Sequence, residues 1–379
     1  MKKVLFTLLT LGAASTGAMA QSSVTVYGVA DAGLVFDKDA AGDRLNRVAS
    51  GVASGSRIGF KGKEDLGGGL AATFVLESGF NIDTGTSGQG GRLFGRQAYV
   101  GLTGSAGALT LGRQYTPYYL ALRDVADPFV IGLAGTASNL MATNYRIDNM
   151  VQYSTPTWSK LSADLAYGFG EVAGDNSKNR SMGGAVHYID GPLNVTLTHH
   201  RQENALATQQ TRNTLLATRY DFGVVQGNFG YADNRALDNS KSNDILVGFS
   251  APFGATKLVA SYIRHNDKSN ANRDAQQWAI GAFYALSKRT DLYTGYGHIS
   301  NKMAPPTPSA MPRTMAPVTA ALTSACATRS KDVGQNLLRG ALCGRRCSPA
   351  RRPRTKVRLR FSATNHCRSL RFCRTLRCP

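Results

Sequence analysis

From Ser23 to Ser300 apolar residues recur at every second position, and no stretch of comparable length repeats them at helical spacing. Leu161, Ala163, Leu165, Tyr167 and Phe169 fall on one face of their segment, with Ser162, Asp164, Ala166 and Gly168 opposite. Leu193, Val195 and Leu197 alternate with Asn194, Thr196 and Thr198. Ile245, Val247 and Phe249 share a face, as do Trp278, Ile280, Ala282, Tyr284 and Leu286. A chain patterned this way must fold as strands with one greasy side and one polar side. Fifteen strands are expected, near residues 24–36, 56–63, 70–81, 96–104, 108–115, 149–155, 161–169, 181–189, 193–202, 213–222, 224–233, 244–252, 256–266, 276–286 and 290–300. Their connections alternate. Tight turns such as Asp65–Gly69, Asp190-Gly191-Pro192 and Ser287-Lys288-Arg289 follow longer polar loops such as Gly170–Arg180 and Glu203–Arg212.

Short turns on one end and long loops on the other describe an outer-membrane barrel. A β-sandwich seldom needs fifteen long strands, and a propeller would repeat every 40–50 residues or so, which this chain does not. Lipid leaves open backbone edges unsatisfied, so a strand protein in a bilayer has to be a closed ring. Tyr115, Tyr118, Tyr119, Tyr153, Tyr220, Phe253 and Tyr284 near strand ends suggest an interfacial aromatic girdle, although strands favour aromatics in any case.

The first residues supply the export address. Met1-Lys2-Lys3 is basic, Val4–Leu11 is apolar apart from threonine, and Ala18-Met19-Ala20 has the shape of a signal-peptidase site. Residues 1–20 are therefore expected to be a signal peptide, cleaved between Ala20 and Gln21. The apolar run falls well short of the ~20 residues of a spanning helix.

A formal charge of +20 would suggest a nucleic-acid partner, but its distribution does not. Met303–Pro379 holds 16 Lys and Arg against one acid, Asp332, together with all six cysteines. The part before it is nearly neutral and free of cysteine, so it does not depend on disulfides. No nucleic-acid partner, cofactor or metal is expected. The spacings Cys343-x3-Cys347 and Cys367-x5-Cys373 do not match common zinc patterns. His199 and His200 are neighbours on a strand and point apart, and no nucleophile elbow or phosphate loop is present. An enzyme is not expected.

Several separated segments resemble the general diffusion porins of β-proteobacteria, in order along residues 1–302: Ser23–Gly33, Ser56–Leu70, Arg96–Leu102, Leu109–Gln114, Asn149–Pro156 and Leu286–Thr290. The resemblance implies a transmembrane antiparallel β-barrel, all-β, of sixteen strands. It implies a homotrimer in the Gram-negative outer membrane, in contact with lipid and lipopolysaccharide, passing small polar solutes and ions. A substrate-specific channel is the alternative, which would show a slide of lumen-facing aromatics. The third loop, Tyr115–Tyr145, is expected to fold into the lumen. Carried over by motif, Arg57, Arg96 and Arg146 match the constriction wall of anion-selective members. By alternation Arg57, Lys61 and Lys63 share the face opposite Ile58 and Phe60, so they should line the lumen. Arg113 is expected at the base of the loop. Asp124 and Asp127 on the loop, and Glu77 on the third strand, are the expected acidic counterparts.

Fifteen strands are one fewer than the sixteen implied. The porin barrel is thus expected at residues 21–302 without its last strand, followed by a basic, disordered tail, 303–379. Ser324–Lys331 can be encoded by codons that, shifted by one base, read Val-Gly-Met-Arg-His-Thr-Phe and a stop. An aromatic C-terminus is what the family's last strand requires. The tail is therefore expected to be out of frame, and a product made this way to assemble poorly or be non-functional.

Overall fold

The computed structural model describes residues 23–40 and 42–302 together with the backbone of 325–329, all within the unit Met1–Gln335. The expected signal peptide with its Ala20/Gln21 cleavage point, and the rest of 303–379, lie outside the described residues.

The strands are β1 (Ser23–Ala30), β2 (Ala32–Lys38), β3 (Arg44–Ser50), β4 (Arg57–Gly67), β5 (Leu70–Gly79), β6 (Gln97–Gly104), β7 (Gly107–Tyr115), β8 (Arg146–Ser154) and β9 (Leu161–Gly168). There follow β10 (Ser181–Asp190), β11 (Leu193–Glu203), β12 (Gln210–Asp221), β13 (Gln226–Arg235), β14 (Lys241–Phe253), β15 (Thr256–Asp267), β16 (Ala275–Ala285), β17 (Thr290–Asn301) and β18 (Ala325–Arg329). β1 and β4–β17 form one antiparallel sheet in sequence order, which β18 joins to β1 to close the ring. These fifteen long strands coincide with the alternating segments of the sequence.

Two corrections concern the ends of the sheet. The segment 24–36 is not one strand: Asp31 interrupts it, and β2 continues as a separate hairpin with β3. Asp31 is fully buried and accepts N–H bonds from Val52 (3.0 Å), Ala53 (3.2 Å) and Ser54 (2.8 Å). That carboxylate folds the chain after β3 back over the end of β1, so the strand cannot run straight on. The second correction is that the tail contains a strand. β18 pairs two residues with β1 (Val29↔Arg329, Ala30↔Thr328) and four with β17, from Thr290↔Thr328 to Tyr293↔Ala325. The facing edges would otherwise present bare N–H and C=O groups, a cost that draws in any segment able to extend. Among the described residues most of both edges still lacks a ladder partner, since β17 is 12 residues long and β1 eight.

Alternation sorts the side chains radially. Val24, Val26, Ile58, Phe60, Val100, Leu102, Leu165, Val247, Phe249, Trp278, Ile280 and Tyr284 are exposed on the outside of the sheet. Thr196, Thr198, Asn213, Asn228, Asp244 and Gln277 are buried on the inside. Apolar outside and polar inside inverts a soluble protein and fits a bilayer. No helix among the described residues is long and apolar enough to cross a membrane, which leaves strands to do so.

The inside is not empty. Residues 116–145 leave β7, enter the barrel and return at β8. The segment opens with a short helix, α1 (Pro117–Ala121), capped by Thr116, whose Oγ1 accepts from the Tyr119 N–H at 3.1 Å. Pro117 at the first helical position loses no hydrogen bond there. Tyr118, Leu122, Val125 and Ala126 pack against inward Leu215, Ala217, Ala232, Leu246 and Ile263. Further along, Phe129 and Leu133 pack against Val259, Ala279 and Tyr293. Tyr115, Tyr118 and Tyr119 therefore belong to this inner packing rather than to an interfacial girdle, because the loop turns inward at Thr116. Tyr220, Phe253 and Tyr284 are exposed beside the tight turns.

Candidate functional site

Four elements meet where the inserted loop, hereafter loop 3, faces the wall of β4–β8. Glu77, on the inward face of β5, is buried at 3 % exposure and anchors the cluster. Its Oε1 accepts from Arg96 Nε at 2.7 Å, and its Oε2 accepts from the Tyr27 hydroxyl at 3.0 Å and lies 3.5 Å from Arg57 Nε. Arg57 also donates to Gly55 O at 2.8 Å. On the other side of Arg96, Nη2 donates to the Tyr115 hydroxyl at 2.8 Å, and Arg146 Nη2 donates to the same oxygen at 2.7 Å. The Arg146 guanidinium also lies over the Tyr115 ring, 4.4 Å from its centre.

Loop 3 adds the next layer. Tyr115 stacks on Tyr119, ring centres 4.8 Å apart, and Arg123 sits over both rings at 5.2 and 5.4 Å. Arg123 holds Asp124 in a two-point pair, 2.6 Å at each contact. The Asp124 carbonyl accepts from Arg219 of β12 at 2.9 Å, so an arginine from the opposite wall reaches the loop. Stacking on tyrosine faces lets several guanidiniums crowd together, since each ring presents a negative face to a cation.

The structure thus brings Arg57, Arg96, Arg146 and Glu77 into one cluster, with Asp124 one layer away through Arg123. Lys61 lies further along β4 on the same inward face, its ammonium 5.6 Å from the Tyr27 ring centre. Two expected members lie elsewhere. Arg113 shares the face of the exposed Leu109 and Leu111, opposite Thr110 and Gln114, and pairs with Asp148 at 2.6 Å; Arg92 joins that carboxylate at 2.8 Å. The irregularity between Gly112 and Gln114 leaves Arg113 without a partner on β8, while on β6 it pairs with Ala98, on the outward face. Asp127, in turn, does not face the arginines. It is 2 % exposed and accepts the backbone N–H groups of Phe129 (2.9 Å), Ile131 (3.0 Å) and Ala137 (2.9 Å). Burial pushes its carboxyl up to about 6, against the pull of those three donors. Its work is structural: Val130, Ile131 and Leu133 hold positive φ between 52° and 58°, costly for branched residues, and Asp127 ties that turn.

Sequence reasoning missed Arg123 and Arg219. Arg123 was visible only as a loop residue next to Asp124, and Arg219 follows the inward parity of Asn213, Leu215 and Ala217. Among the described residues no group of three or more His, Cys, Asp or Glu is placed to hold a metal ion. The arrangement presents fixed positive charge where loop 3 faces the wall of β4–β8.

A family model for Gram-negative porins matches residues 7–304. An outer membrane porin protein of Bordetella pertussis is 33 % identical over 374 residues, covering 80 % of this chain and 95 % of that protein. Outer membrane porin protein 32 of Delftia acidovorans is 36 % identical over 325 residues, covering 80 % and 91 %. Among solved structures, the anion-selective porin from Comamonas acidovorans superposes with a TM-score of 0.68 at 30 % identity, covering 82 % of this chain and 98 % of its own.

Proposed function

This chain belongs to the Gram-negative porin family, an outer-membrane channel for small hydrophilic solutes, and on that premise we propose that its aperture prefers anions. The observation that carries the preference is the cluster around Tyr115: Arg57, Arg96, Arg123 and Arg146 against Glu77 and Asp124. Rings of side-chain charge decide which ions pass, and low-dielectric walls focus a few charges beyond their number. Glu77 moderates the wall, so the preference is weak to moderate rather than absolute. Anions enter the lumen, exchange water for guanidinium contacts at the cluster, and leave passively; no cofactor takes part.

Reversal potentials across a planar bilayer with a salt gradient test the reading. Anion-selective potentials that collapse towards zero when Arg96 and Arg146 are neutralised support it. Cation selectivity of the unaltered protein overturns it.

We further propose a homotrimer surrounded by outer-membrane lipid and lipopolysaccharide, supported by the family resemblance and testable by cross-linking in detergent. The reading of 303–379 as out of frame is likewise a proposal. Its support is the tail's composition and the alternative frame over Ser324–Lys331, the segment that contains β18. Resequencing the 3′ end of the gene decides it, and an intact frame encoding this tail removes the idea.

A further inference from the structure

Where loop 3 crosses the inner wall, four inward positions of the wall carry no side chain. The loop meets the strands in order. Ala126 lies over Gly230 of β13, Pro128 over Gly248 of β14, Phe129 over Gly281 of β16, and Ala134 over Gly297 of β17. A Cβ built on Gly248 would stand 2.4 Å from Pro128 Cγ. One on Gly281 would stand 2.9 Å from Phe129 Cε1, one on Gly297 2.8 Å from the Ala134 carbonyl oxygen, and one on Gly230 3.1 Å from Ala126 Cβ. None of the four has positive φ, so backbone geometry does not require glycine at any of them. What requires it is the loop. Alternation on these strands calls for inward side chains, and glycine in a strand interior costs stability unless another backbone must approach.

We propose that this diagonal row of glycines sets the width of the aperture, each absent methyl letting loop 3 lie deeper against the wall of β13–β17. The same loop carries Arg123, paired with Asp124, over the rings of Tyr115 and Tyr119. A side chain added beneath it therefore moves those charges towards Arg57, Arg96 and Arg146. Packed interiors do not absorb an extra methylene silently, and here the softest response is displacement of the loop into water. The glycines are positioning residues: they touch no solute and act through the loop. The proposal rests on the channel reading, since only a conducting lumen has an aperture to set.

The test is single-channel conductance of the full chain in planar bilayers, with exclusion of neutral polyethylene glycols of graded size as a second measure. Gly248→Ala and Gly281→Ala are expected to lower conductance at least about twofold and to shift polymer exclusion to smaller sizes, because pore diameter governs both. Adding Pro128→Ala to Gly248→Ala removes the atom that would be struck and should restore conductance, a coupling that a general packing defect would not show. Folding is followed by heat-modifiable migration. Should Gly248→Ala not fold, the milder Gly230→Ala carries the test. Conductance unchanged or raised in a folded variant overturns the proposal, since the loop then either yields without moving or leaves its seat. An unaltered protein that folds and inserts, as heat-modifiable migration shows, yet forms no channel instead defeats the function reading.

Discussion

The two halves of the lumen wall are built on opposite rules. On β4–β8 the inward positions carry Arg57, Lys61 and Glu77, with Arg96 and Arg146 drawn in beside them. On β12–β17 at the same depth they carry Leu215, Ala217, Leu246 and Val259, interrupted by Gly230, Gly248, Gly281 and Gly297. The first half gathers guanidinium groups around one buried carboxylate and one tyrosine. The second seats loop 3 with apolar side chains and gives up bulk at the four glycines. The difference teaches that a lumen is not uniformly wet: one half is a protein interior turned sideways, and the other is an electrostatic surface.

Substitutions on each half should fail in different ways. The largest effect belongs to Glu77. Glu77→Ala leaves Arg57 and Arg96 without their buried counter-charge, which should lower stability by about 3–5 kcal/mol in a urea titration and strengthen anion selectivity at once. Glu77→Gln should keep most of the stability and still raise selectivity. If it leaves the reversal potential unmoved, Glu77 does not moderate the wall. Next comes Asp127, on the loop-seat half. With its carboxyl held up to about 6, the protonated form is the one the fold prefers. Its contribution is full below the ordinary carboxylate range near 3.9, then lost as pH rises through about 6, a fall on the order of 2–3 kcal/mol. Thermal midpoints between pH 4 and 7 should decline for this reason, and Asp127→Asn should flatten that decline. An unchanged slope would show that the loop tie does not titrate.

Neutralising Arg96 and Arg146 together should cost somewhat less stability than Glu77→Ala, because Arg57 still faces the buried Glu77 carboxylate, and should reduce the anion-to-cation permeability ratio, each charge being worth about 1 kcal/mol at water-like dielectric. Arg113→Ala should do least. Its partners Asp148 and Arg92 are half-exposed, so stability should change by roughly 0–1 kcal/mol, with no movement of the reversal potential. A clear loss of anion selectivity there would return Arg113 to the lumen and erase the contrast between its two faces.

Most of the barrel was legible because period two is imposed by geometry, strand by strand. Trp278, Ile280 and Tyr284 declare their side without reference to any other strand. The hairpin of β2 and β3 was not legible, since its path depends on Asp31 gathering N–H groups from about twenty residues away. Arg57 could be placed by alternation, but Arg96 precedes its strand and came only from motif. Arg113 went astray at an irregularity that shifts the ladder between Gly112 and Gln114. Asp127 was read as an acidic counterpart to the arginines because the inserted loop carries it close to Asp124. The three backbone donors that bury it exist only once the turn has formed. The glycine row has no local signature either: each member reads as a weak spot in a strand until the crossing loop is laid over it.

Asp31 has a consequence for how the molecule comes together. Its carboxylate takes the hydroxyl of Tyr293 at 2.5 Å, a contact spanning 262 residues, and through Val52 it reaches Leu133, whose N–H bonds to the Val52 carbonyl at 2.7 Å. The first strand, the last long strand and the tip of the inserted segment thus converge on one acidic side chain. Contacts of such sequence separation form late and slowly. The seating of loop 3 is thereby tied to arrival of the final part of the polypeptide: a half-built cylinder lacks the hydroxyl that completes the knot and should hold the inserted segment loosely.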